Sequence, residues 1–164
     1  MSGFILGVDP SKVDDTAEFT LGSRGVKHDG SEWMYLEAAE AIDPMDVVIV
    51  DLGGEALQLT ATTGASGTGM GKQCAVVAET VSQDIVDGKF FWGCIYAPAV
   101  AGIKFNAVAS VEDFTLLCAS STDGHLTDVL DLDAVVLGIV SAEADDIEPV
   151  GVINYPFVSD ITQT

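Results

Sequence analysis

The apolar positions of this chain fall in short runs with period-two character, separated by turn-forming residues, and they predict strands. Trp33-Met34-Tyr35-Leu36-Glu37-Ala38 follows the turn signal His28-Asp29-Gly30-Ser31 and reads as an aromatic-rich strand. Asp46-Val47-Val48-Ile49-Val50-Asp51 is β-branched and closes at Leu52-Gly53-Gly54, while Ala56-Leu57-Gln58-Leu59-Thr60 alternates, so 46–60 reads as a hairpin about the glycine pair. Further strands are predicted over Cys74–Glu79, Lys89–Ala97, Phe114–Ala119, Val135–Val140 and Val150–Val158. The links between them carry turn chemistry at Val86-Asp87-Gly88, Thr122-Asp123-Gly124 and Glu148-Pro149. With Gly at 17 of 164 positions, this spacing predicts a mainly β fold whose body is a compact β-barrel or β-sandwich. Two short helices also fit: Glu37–Ile42, good helix formers ended by Asp43-Pro44, and Ser110–Asp113.

Residues 1–20 read as an extended N-terminal arm and 21–164 as the β-rich domain. Gly3 and Gly7 bracket Phe4-Ile5-Leu6, Asp9-Pro10 breaks any helix start, and no periodic stripe follows that would bind the segment to a core. Phe4, Ile5, Leu6 and Val8 are therefore the candidate partner-binding residues. Thr60–Lys72, dense in Gly, Ser and Thr, reads as a loop.

Composition narrows the partners. The chain has 6 Lys and Arg against 26 Asp and Glu, a formal charge of -20, and no basic residue after Lys104. Phosphate binding draws on clustered Lys and Arg, so nucleic acid and anionic membranes are not expected partners. The longest apolar stretches fall far short of the ~20 residues that span a bilayer as a helix, and the N-terminus lacks the basic start and long apolar core of a secretion signal. Cys74, Cys94 and Cys118 are odd in number and each sits in an apolar run, which predicts buried free thiols and folding in a reducing cytoplasm.

Templates for chemistry fail one by one. The loop ending in Gly71-Lys72 has Ser66 and Gln73 where a P-loop needs Gly and Ser or Thr, and Gly64-Ala65-Ser66-Gly67 is one residue short of a nucleophile elbow. His28 and His125 both lie beside Asp-Gly turns and read as exposed turn residues. Asp128, Asp131 and Asp133 alternate with apolar residues but lack the Gly and distal Glu of a calcium loop, so they read as a solvated acidic edge. No catalytic residue, metal or cofactor is assigned. The expectation is a non-enzymatic structural or binding protein.

Three stretches resemble the decoration (cement) proteins of tailed-bacteriophage capsids. The first runs from Leu21-Gly22-Ser23-Arg24-Gly25 through Asp29-Gly30-Ser31-Glu32-Trp33-Met34-Tyr35 to Ala41-Ile42 and Asp46-Val47-Val48. The second is Asp87-Gly88-Lys89-Phe90-Phe91-Trp92-Gly93-Cys94-Ile95-Tyr96, and the third is Val150-Gly151-Val152-Ile153-Asn154-Tyr155-Pro156. Loop 64–72 and the acidic stretch 123–148 have no counterpart. The resemblance implies a virion protein, made in the host bacterial cytoplasm, that sits on the capsid exterior as a homotrimer and bridges subunits of the major capsid protein. The rival from another class is a glycan-binding β module with Trp33, Tyr35, Trp92 and Tyr96 as its sugar platform. Their alternation within strands favours core packing instead.

Overall fold

A computed structural model describes residues 5–6, 8–64, 72–81, 83–98, 103–107, 117–128, 134–141 and 149–159. Its twelve strands are β1 (Ile5–Leu6), β2 (Arg24–Val26), β3 (Glu32–Ala38), β4 (Val47–Val50), β5 (Glu55–Gln58), β6 (Gln73–Val77), β7 (Phe90–Ala97), β8 (Ile103–Lys104), β9 (Leu117–Ala119), β10 (Leu126–Thr127), β11 (Val135–Ser141) and β12 (Val150–Ser159). The chain is mainly β, and no helix occurs among the described residues.

One sheet contains all twelve strands and closes on itself. The circuit runs β3–β5–β4–β6–β12–β7 and returns to β3, through Ala38↔Ala56, Ile49↔Leu57, Ile49↔Cys74, Gln73↔Phe157, Asn154↔Tyr96 and Trp33↔Cys94. β6 also pairs directly with β7 at Val76↔Cys94, so β12 enters where those two strands part. β11, β9 and β10 extend the sheet beyond β12, and β2 and β1 extend it beyond β3.

Closure explains why Val47–Val50 is buried at four consecutive positions. Successive side chains point to opposite faces, so a solid apolar run needs cover on both. The inward set, Met34, Leu36, Val48, Val50, Ala75, Val77, Phe91 and Ile95, fills the barrel. The outward set, Trp33, Tyr35, Val47, Ile49, Cys74, Val76, Trp92 and Cys94, packs under an outer layer that includes Phe105, Leu117, Leu126, Val136, Ile153 and Val158. The barrel is narrow where β3, β6 and β7 converge: a Cβ at Gly93 would lie 2.8 Å from both Ala75 Cβ and Leu36 Cδ1. Ile42 and Ile85, joined by an isolated bridge, belong to the inner cluster together with Val13 and close one end.

The predicted hairpin over 46–60 is present as β4 and β5. The predicted helix over Glu37–Ile42 is not. Glu37 and Ala38 continue β3, where Glu37 pairs with Phe90 and Ala38 with Ala56, and Ile42 makes the bridge to Ile85. Ladder bonds and burial of Ala38 and Ile42 override the intrinsic helix preference of these residues. Ser110–Asp113 lies outside the described residues, as do Phe114–Leu116 of one predicted strand.

The arm expectation also changes. Residues 8–20 lie on the body: Val8 is only 9% exposed and belongs to the outer cluster, and Val13 joins the inner one. Asp14 bridges to Phe90, and the Phe19 ring sits 5.2 Å from Tyr35 and 5.3 Å from Trp92. A strap of this kind buries single residues at irregular spacing, which a search for periodic stripes passes over. Ile5 and Leu6 pair in parallel with Gly25 and Val26, at the end of the sheet order.

Candidate functional site

The predicted binding residues separate. Val8 is a core residue rather than an exposed anchor. Ile5 and Leu6 are held through their backbone at the sheet edge, and Phe4 lies outside the described residues. Of the four aromatics considered as a sugar platform, Trp33, Tyr35 and Trp92 are buried and Tyr96 is half-buried.

A different surface gathers at the open end of the barrel. Leu137 pairs with Phe157 and Ile139 with Ile153, so Gly138 alone faces Asn154-Tyr155-Pro156. This bulge holds Tyr155 at a φ of +47°, a left-handed conformation that costs a bulky side chain energy, while Gly138 opposite has φ +88°. No side chain fits at Gly138, because a Cβ there would lie 2.6 Å from the Asn154 carbonyl oxygen. The bulge turns Tyr155 and Phe157 outward, 40% and 41% exposed.

Neighbours fix the Tyr155 ring. Tyr96 stacks on it at 5.5 Å, and the Arg24 guanidinium lies 5.9 Å from its centroid. Burial and a hydrogen bond to Glu32 push its hydroxyl above the usual tyrosine pKa. Arg24, Gln73, Tyr155, Pro156 and Phe157 line a shallow cleft of about 520 Å³. Gln73 also borders a second cavity of about 540 Å³, which runs over Met34 and Val50 to the fully exposed Leu52 and to Lys72. Surfaces combining Tyr, Arg and apolar side chains in this way suit protein docking.

Charge is divided between the two barrel ends. Five ion pairs occupy Lys12, Lys27, Lys89 and Lys104. Arg24 and Lys72, both at the open end, enter no ion pair among the described residues. Acids share that end: Asp51 and Glu55 are exposed, the Asp51 carboxylate accepting from the Gly53 and Glu55 amides, and Glu32 accepts from Tyr155. At the closed end, Asp43, Asp84 and Asp87 are exposed beside Val86, itself 42% exposed. Neither 39–46 nor 78–88 contains a Lys or Arg.

The remaining reactive groups are dispersed. No cluster of three or more His, Cys, Asp or Glu with metal-site spacing occurs among the described residues, which include Asp128 but not Asp131 or Asp133. His28 is exposed in its turn, and His125 Nδ1 lies 2.7 Å from the Asp123 carbonyl oxygen. The three cysteines are buried, and burial pushes Cys74 and Cys94 up to about 12, so neither supplies thiolate at neutral pH.

Two carboxylates are buried among the described residues, Asp14 and, more deeply, Asp46, 1% exposed. Asp46 accepts hydrogen bonds from the Asp43 amide at 2.9 Å, Gln58 Nε2 at 2.6 Å and Asn106 Nδ2 at 3.0 Å. These bonds pin the turn at Asp43–Asp46 to two other parts of the chain, a structural use of the carboxylate.

The Tyr155–Phe157 surface was absent from the sequence expectations, which took 150–158 as an ordinary strand. A signal was available, since Asn154-Tyr155-Pro156 places a turn former and a Pro inside a strand, a pattern confined to edges and bulges. No known family's sequence pattern matches the chain, and no curated protein matches it in sequence.

Proposed function

We propose that this chain is a non-enzymatic structural protein of a phage virion that binds the outer surface of the icosahedral head as a homotrimer and stabilises it by bridging major capsid protein subunits. The observation that carries the reading beyond the resemblance is the contrast between a doubly packed barrel and its N-terminal strand. Among the described residues, β1 is joined to the body by two residue pairs, Ile5↔Gly25 and Leu6↔Val26, at the last position of the sheet. A segment held so lightly exchanges its partner at small cost, whereas the body keeps its shape under load. Phe4, Ile5 and Leu6 remain the proposed capsid anchors, Val8 does not, and the arm shortens to residues 1–7. Repetition of modest contacts over a symmetric lattice supplies avidity, so each interface can be weak.

The test uses tailed-phage capsids stripped of accessory proteins, incubated with the purified chain and sedimented. Saturable co-sedimentation at a fixed ratio to coat subunits, with a raised temperature of capsid disruption, is the expected result. Failure to co-sediment at any concentration overturns the reading. The cleft at Arg24, Gln73, Tyr155 and Phe157 favours one alternative, a glycan-binding module. A glycan array separates the two.

A further inference from the structure

We infer that the open end of the barrel is a docking surface for the closed end of a second copy of this chain. The contact is head-to-tail, and the inference goes beyond the capsid reading and does not depend on it. The open end joins apolar Leu52, Tyr155 and Phe157 to Arg24 and Lys72, the two cations outside every ion pair among the described residues. The closed end joins exposed Val86 to Asp43, Asp84 and Asp87, and the cations nearest to these loops are engaged, Lys89 with Asp15 and Lys104 with Glu79.

The two surfaces lie at opposite ends because the strands carry them there. β3 enters at Glu32 beside Tyr96 and Arg24 and leaves into 39–46, while β6 enters at Gln73 beside Phe157 and leaves into 78–88. In a chain of charge -20, approaching copies repel in most orientations. Two closed ends repel as well. Cations against acids, with apolar side chains between them, is the orientation that removes the repulsion, so polarity is selected along with affinity.

The strained bulge fits this use. A rigid Tyr155, held by Tyr96 and Arg24 before any partner arrives, loses little entropy on docking. Such a contact is heterologous: between opposite ends of a barrel it stacks copies in line, and it closes into a ring only when the rotation between copies divides a full turn.

Sedimentation of the purified chain across concentration tests the contact, with thermal unfolding confirming that each variant folds. The wild type is expected to assemble. Arg24→Glu with Lys72→Glu, and separately Asp84→Lys with Asp87→Lys, are each expected to raise the concentration of half-assembly by about tenfold or more. An equimolar mixture of the two variants should recover assembly, since the unaltered closed end of the first meets the unaltered open end of the second and the two reversed ends are again opposite in charge. Three results overturn the inference: a wild type that stays monomeric to about 1 mM, charge-reversed variants that assemble like the wild type, or a mixture that recovers nothing. A monomeric wild type whose capsid binding is lost on reversing Arg24 and Lys72 would assign the open end to the coat protein instead, leaving the capsid reading intact.

Discussion

The Tyr35 hydroxyl donates a hydrogen bond to the Asp14 carboxylate at 2.7 Å, joining a central barrel strand to a segment 21 residues earlier in the chain. The same hydroxyl accepts from the Glu18 amide at 3.2 Å, and the Phe19 ring packs edge-on against the Tyr35 ring. This latch makes residues 8–20 part of the folded body.

Tyr35→Phe keeps the ring packing and deletes both hydrogen bonds, leaving Asp14 Oδ2 buried without its donor while Lys12 still pairs with Oδ1 at 2.6 Å. A loss of about 1–3 kcal/mol is expected, read as a lower midpoint in denaturant at unchanged slope. Deleting 1–7 should leave thermal stability nearly unchanged. Deleting 1–20 removes Val8, Val13 and Phe19 from two packed clusters and should abolish cooperative unfolding. Equal stability of the two truncations would contradict the latch.

Gly93 sets the barrel bore. Gly93→Ala places a Cβ 2.8 Å from Ala75 Cβ, which is fixed to its strand, and 2.8 Å from Leu36 Cδ1, which must turn aside within a packed core. Overpacking of this kind is expected to cost about 1–3 kcal/mol. Pairing it with Leu36→Ala should recover part of the overpacking loss, and strictly additive losses in that double-variant cycle would show that the two sites do not meet.

The strands were legible because turn residues bracket them, and Val47-Val48-Ile49-Val50 announces a strand by its β-branching alone. Closure was not, since it depends on Ala38↔Ala56 and Gln73↔Phe157, pairings between segments that no local pattern links. The helix expected over Glu37–Ile42 failed for a related reason: its residues favour a helix locally, but β5 and β7 offer Ala38 partners on both sides. The strap was missed because Val8, Val13 and Phe19 each fill a separate site. The docking surface was hidden because exposure of Tyr155 and Phe157 depends on the two-strand register of β11 and β12.

Asp46 gives stability a pH dependence of unusual sign. Burial holds its carboxyl above the ordinary value of 3.8, outweighing the hydrogen bonds from Gln58, Asp43 and Asn106. The folded chain therefore holds this proton more tightly than the unfolded one. As pH falls through the folded pKa toward 3.8, stability contributed by this group rises, and at neutral pH the buried charge costs stability. Asp9, Asp15 and Asp29 shift the other way, their pKa values lowered by hydrogen bonds to Ser11, Lys89 and Ser31 respectively, and their contributions are lost below 3.8. Denaturant midpoints measured between neutral pH and 3.8 should show a rise for the wild type that Asp46→Asn lacks. Parallel profiles would exclude Asp46 as the source.

Gly138 and Tyr155 face each other across the bulge, and substitution separates their roles. At Gly138 the backbone is left-handed and a Cβ would lie 2.6 Å from the Asn154 carbonyl oxygen and 3.0 Å from Pro156 Cα. Both obstacles are backbone, so Gly138→Ala should cost about 2 kcal/mol or more, through strain and disruption of the β11–β12 pairing. At Tyr155 the strain belongs to the side chain's presence on a left-handed backbone, which Asn tolerates far better. Tyr155→Asn should thus hold or raise stability by up to about 1 kcal/mol, less whatever the lost stacking on Tyr96 contributed. Yet it removes the largest exposed aromatic of the open end, and self-assembly should weaken although the fold does not. If Tyr155→Asn instead destabilises the fold as much as Gly138→Ala, Tyr155 is a packing residue of the bulge, and the strain has no bearing on docking.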